Sequence, residues 1–143
     1  MAKIDWSDKV LKKSYVFFSM MTLSGILVWI FKEFFSIQTE WGEEPHPLIS
    51  YFRFVHHFMS IIFIWFLGAI SLTHVTRFIQ THHKSLKRSG WALLTVSLLS
   101  IFSGMILYHI NNQAWLTVVE LFHVICGFTL SAVFLLHRYY KKS

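Results

Sequence analysis

Polar and apolar positions along the chain fall in long blocks rather than in a short-period alternation. Four apolar stretches, about 15–35, 51–78, 91–110 and 115–137, are separated by polar segments. Each holds at least the ~20 residues needed to cross ~30 Å of hydrocarbon at ~1.5 Å per residue. The pattern predicts an all-α fold, an integral membrane four-helix bundle forming a single membrane domain over 1–143. The first stretch reads as a retained span rather than a cleaved signal, because its apolar run is too long and its end reads Lys32, Glu33, Phe34, Phe35 with no small-residue cleavage site. Pro45 and Pro47 flank His46 in the first connection, ending any helix there and stiffening the approach to the second span.

Composition supports lipid as the solvent. The chain is 55% hydrophobic and 18% aromatic, with fifteen Phe and six Trp in 143 residues. A soluble body of that size has too high a surface-to-volume ratio to bury so much apolar surface. Charge then sets an orientation. Lys3, Lys9, Lys12 and Lys13 precede the first span, Arg77, Lys84, Lys87 and Arg88 follow the second, and Arg138, Lys141 and Lys142 end the chain. The opposite connections carry Glu33, Glu40, Glu43 and Glu44, or the uncharged Asn111, Asn112 and Gln113. The positive-inside rule places both termini in the cytoplasm, N-in and C-in; the expected location is a bacterial inner membrane. The net charge of +6 follows from this asymmetry and from attraction to anionic headgroups, with no nucleic acid partner required. Trp41, Trp91, Trp115, Tyr139 and Tyr140 fit an interfacial belt.

Histidine brings in the chemistry. Of nine, His56, His57, His74, His109, His123 and His137 lie within or at the ends of spans. An ionisable ring in hydrocarbon is costly unless something in the protein satisfies it, which marks each as a candidate site. His123 and His137 stand 14 residues apart, four turns at the ~3.5-residue period of a left-handed bundle, or ~21 Å. His56 and His74 stand 18 residues apart, five ideal turns, or ~27 Å. Spans two and four run in the same direction across the membrane. Two levels of paired imidazoles result, the arrangement that two haem irons require. The spacings differ by one turn, which a tilt of span two or an irregular turn near Gly68 would absorb. His57 is the adjacent substitute for His56. His46, His82 and His83 read as solvated loop residues.

The segments FRFVHH (52–57), THVTRF (73–78) and ELFHVICGFTLSAVFLLHRYY (120–140) carry a resemblance. The first two look like the ends of the second helix in the membrane cytochrome b subunits of respiratory hydrogenases and formate dehydrogenases. The third resembles the helix with two histidines 14 apart in that group and in quinol-oxidising cytochromes b. The resemblance covers about two-thirds of the chain. It implies a small four-helix cytochrome with two haem b, exchanging electrons with the quinone pool as the membrane subunit of a larger redox complex. Two features depart from it: span one has no histidine, and the spacing on span two is long.

Other residues take subsidiary roles in this picture. Arg53 and Arg77, each three residues from a ligand candidate, are placed to pair with haem propionates or to snorkel to headgroups. Gly104 and Gly127 open room for a flat macrocycle or for close helix packing. Glu120 is a candidate proton acceptor for a quinol, with His109 beside it at the outer surface. Cys126 is the single cysteine, so no intrachain disulfide forms. No Gly-rich phosphate loop, CxxC or HExxH is present. Two other classes remain compatible: a self-contained quinone-dependent oxidoreductase, for example a superoxide oxidase, and a haem-free anchor or assembly subunit.

Overall fold

A computed structural model describes residues 8–70 and 84–142. In chain order the elements are helix α1 (Asp8–Phe34), strands β1 (Ser36–Thr39) and β2 (Gly42–Pro45), then helices α2 (Leu48–Ile70), α3 (Lys84–Ile106) and α4 (Gln113–Lys142). Each helix contains a segment long and apolar enough to cross a membrane: Tyr15–Phe34, Leu48–Ala69, Arg88–Ile106 and Gln113–His137. The all-α membrane fold expected from the sequence is present. Its boundaries differ in places. The third span begins and ends earlier than 91–110, because the chain leaves the helix after Ile106 and turns through 107–109. The stretch expected to carry span two on to Phe78 lies outside the described residues beyond Ile70. Gly68 sits within continuous α-helix, with no irregular turn there.

Burial is inverted relative to a water-soluble domain. Ser24, Ser97, Ser100 and Ser103 are buried, whereas Trp65, Phe102, Leu121 and Leu135 are exposed. Small residues let helix backbones approach, and the large apolar side chains turn outward to lipid. The buried hydroxyls are satisfied locally where they can be: Ser97 Oγ donates to the Leu93 carbonyl at 2.8 Å. Back-bonding of this kind allows serine inside an apolar helix without an orphaned donor.

The chain divides into two compact units, Met1–Phe63 and Ile64–Ser143. In the first, α1 and the start of α2 pack antiparallel. Phe31 meets Phe52 with ring centroids 4.8 Å apart, and Phe18 meets Phe63 edge-on at 6.2 Å. Between α1 and α2 stands an antiparallel hairpin, in which Ser36 pairs with Pro45 and Thr39 with Gly42. Glu40 and Trp41 keep negative φ, and Gly42 completes the reversal at φ 115°. Only glycine takes that conformation without a Cβ clash, as in a turn closed by a glycine bulge. Thr39 Oγ1 fastens the tip by donating to the Gly42 carbonyl at 3.0 Å, and Ser36 bonds the Glu43 carboxylate.

In the second unit α3 and α4 form an antiparallel pair. Its α4 start is capped, since Asn112 Oδ1 accepts from the backbone N–H of Ala114 at 3.0 Å and of Trp115 at 3.2 Å. Cys126 and Leu130 lie buried on the α4 face.

Candidate functional site

Three of the intramembrane histidines share one local arrangement. His56 on α2 lies with Nδ1 3.1 Å from Ser24 Oγ on α1. His123 on α4 lies with Nδ1 2.9 Å from Ser103 Oγ on α3, and His137 with Nδ1 2.8 Å from Ser89 Oγ on α3. In each case the residue after the serine is a glycine whose missing side chain leaves space for the ring. A Cβ on Gly25 would stand 3.0 Å from His56 Cε1, and one on Gly104 3.1 Å from His123 Cε1. One on Gly90 would stand at 3.9 Å from His137 Cε1. Each imidazole therefore rests on a serine–glycine step of the neighbouring helix.

The two steps on α3 are 14 residues apart, and so are the two histidines on α4. Because the helices run antiparallel, four turns down one and four turns up the other reach the next pair in register. A period of 14 residues keeps both histidines on one face of α4 and both steps on one face of α3. The α3–α4 pair thus carries two chemically equivalent levels, roughly 21 Å apart along the axis.

The remaining candidates are placed as follows. His57 is exposed, whereas His56 is half-buried against Ser24. Arg53 is exposed on α2. Glu120 is half-buried and within electrostatic reach of His123 on the same helix. His109 lies exposed in the turn beyond α3. His74 and Arg77 lie outside the described residues, as do His82 and His83. Gly104 lies against the His123 imidazole, and nothing lies within 4 Å of where a Cβ on Gly127 would stand.

His46 departs from its reading as a solvated loop residue. It is half-buried, packs edge-on against Phe31 at 5.5 Å, and its Nδ1 accepts from the Leu48 N–H at 3.2 Å. It caps α2, with Pro47 just before the first helical residue, where a missing N–H costs nothing.

Sequence reasoning missed Ser24, Ser89 and Ser103, together with Gly25 and Gly90. The available signal was the recurrence of the dipeptide Ser-Gly at 89–90 and 103–104, with the same period as the histidines.

Next to the Ser103 step, an apolar groove of about 300 Å³ opens on the α3–α4 pair, lined by Leu99, Phe102, Ile106, Val118, Val119 and Phe122 with Ser103. Among the described residues no group of three His, Cys, Asp or Glu side chains is assembled. A directly ligated zinc ion, which takes three or four such donors, has no site there. Comparison of the chain with protein-family models, with curated proteins and with solved structures finds no match.

Proposed function

We propose that the protein is a b-type cytochrome that carries electrons across a bacterial inner membrane through two haems, as the quinone-linked membrane subunit of a larger redox complex. The observation that supports it best is the doubled level on α3–α4: two imidazoles 14 residues apart, each seated on a serine–glycine step with the same spacing. A single structural hydrogen bond would need no such repeat. Two cofactors at two depths would.

The donor set fits the group. A haem brings four nitrogens of its own and asks the protein for one or two imidazoles, so the absence of three-donor clusters among the described residues is compatible with it. His123 and His137 are the ligands proposed on α4, with His56 and His74 completing the set of four. When bound, the haems supply one-electron redox chemistry. This chain's own residues orient the imidazoles, exclude water from them by burial in apolar helices, and set the polarity around them. Arg53 and Arg77 are proposed to neutralise propionates. Glu120, with His109, is proposed to take up a quinol proton, and the apolar groove beside Ser103 suits the hydrophobic part of a quinone. Both termini are proposed to be cytoplasmic, on the charge asymmetry of the connections.

The test is a dithionite-reduced minus oxidised spectrum with haem quantification, on the purified full chain and on His123→Ala, His137→Ala and His56→Ala. Two haem b per chain are expected, each substitution losing about one of them. A colourless chain sinks the proposal and leaves the anchor reading, in which serine–histidine bonds only join helices.

A further inference from the structure

A serine hydroxyl has one proton to give and lone pairs to receive with. At two of the three steps a carbonyl of the serine's own helix stands within hydrogen-bond distance of the same hydroxyl as the ring nitrogen. Ser24 Oγ donates to the Met21 carbonyl of its own helix at 2.8 Å while standing 3.1 Å from His56 Nδ1. Ser103 Oγ donates to the Ser100 carbonyl at 3.1 Å while standing 2.9 Å from His123 Nδ1. When that proton goes to the carbonyl, the oxygen faces the ring as an acceptor, and at His123 the Ser100 carbonyl is a second acceptor for the same ring. The hydrogen of the neutral imidazole then sits on Nδ1, and Nε2 holds the lone pair. A ring that is to ligate a metal through Nε2 needs this tautomer, and the partner of its other nitrogen fixes it.

We propose that Ser24 and Ser103, and Ser89 at the second level of α4, are positioning residues that hold their histidines as the Nδ1–H tautomer, so that Nε2 is the atom offered to a haem iron. The iron rests on the function proposed above; the tautomer does not, because it rests on the placement of serine, carbonyl and ring. Serine suits the task better than a carboxylate would. A neutral acceptor orients the ring without burying a charge, which in hydrocarbon is costly. At Ser24 and Ser103 the adjacent glycine completes the device, because a Cβ there would stand 3.0 or 3.1 Å from the ring.

The full chain, labelled with ¹⁵N-histidine, is compared with Ser103→Ala, Ser103→Thr and Ser97→Ala. Ser97 serves as the control, since it donates to its own helix at Leu93 in the same manner. Two readouts are taken: long-range ¹H–¹⁵N spectra that identify the protonated ring nitrogen, and the reduction potential and retention of each haem. The wild-type chain should show His123 protonated at Nδ1. Ser103→Ala should weaken retention of one haem by about tenfold, the lower end of the effect of losing such a partner. It should also raise that haem's potential, because a ring that has lost one of its acceptors and keeps only the Ser100 carbonyl donates less to ferric iron. Without haem, the same variant should lose the preference for Nδ1–H. Threonine should restore every value, and Ser97→Ala should alter none.

A haem-loaded chain whose potentials, retention and Nδ1–H signal are all unmoved by Ser103→Ala overturns the positioning role while leaving the cytochrome intact. So does a wild-type His123 protonated at Nε2. A colourless chain that nevertheless shows the Nδ1–H tautomer, lost in Ser103→Ala, upholds the tautomer lock and removes only the cytochrome reading.

Discussion

An imidazole can lie flat on a helix only where the helix has no side chain, so the glycines of the three steps are graded by how closely they are approached. A Cβ at Gly25 or Gly104 would meet a ring carbon at 3.0 or 3.1 Å, closer than van der Waals contact, and the ring is tied by its serine. Overpacking of this kind costs ~1–3 kcal/mol, against ~1 kcal/mol regained because alanine is the better helix former. Gly25→Ala and Gly104→Ala should therefore lower stability by about 1 kcal/mol net. At Gly90 the approach is 3.9 Å, an ordinary contact. Gly90→Ala should be neutral or stabilising by up to ~1 kcal/mol. Thermal unfolding in one detergent ranks the three, and a uniform loss at all of them would contradict the grading. The histidines were legible because a polar ring stands out in an apolar block. The serines were not, because serine bonds its own helix and is at home in membrane spans whether or not anything rests on it.

At the scale of elements, the helices were legible and their joints were not. Bilayer thickness imposes a minimum apolar length that any sequence must display, so four spans could be counted directly. The joints depend on single side chains. The β1–β2 hairpin is written in Ser36, Thr39, Gly42 and Glu43, a run with no apolar alternation to announce a strand. His46 caps α2 with its ring packed edge-on against Phe31 of α1. Asn112 is a second such joint, and a testable one. It supplies acceptors to two N–H groups that have no partner within α4. Asn112→Ala should cost ~1 kcal/mol and Asn112→Asp much less, since either an amide or a carboxylate oxygen can accept. Amide hydrogen exchange should locate the loss, rising at Ala114 and Trp115 in the alanine variant while the middle of α4 keeps its protection. Faster exchange along the whole helix would mean instead that Asn112 supports packing rather than the cap.

At the scale of the whole molecule, charge becomes a statement about direction. Eleven of the thirteen Lys and Arg belong to the two termini and the connection after span two. If all four candidate spans cross, the first connection and the connection before α4 are each expected on the face opposite the termini. Single cysteines test this without removing the native one, because Cys126 is buried at 6% exposure and should stay silent to a membrane-impermeant maleimide. Trp41, at 91% exposure on the hairpin tip, and Asn111, in the turn ahead of α4, are accessible positions. Trp41→Cys and Asn111→Cys should label in intact cells, whereas Lys13→Cys and Lys142→Cys should label only after permeabilisation. If Trp41→Cys and Asn111→Cys report opposite sides, the span count is wrong. If all four positions are reversed together, the spans stand but the positive-inside rule does not govern this chain. The second result would also turn the proposed electron path around: the end of α4 carrying Glu120 and His123 would face the cytoplasm, and a quinol oxidised there would release its protons inward.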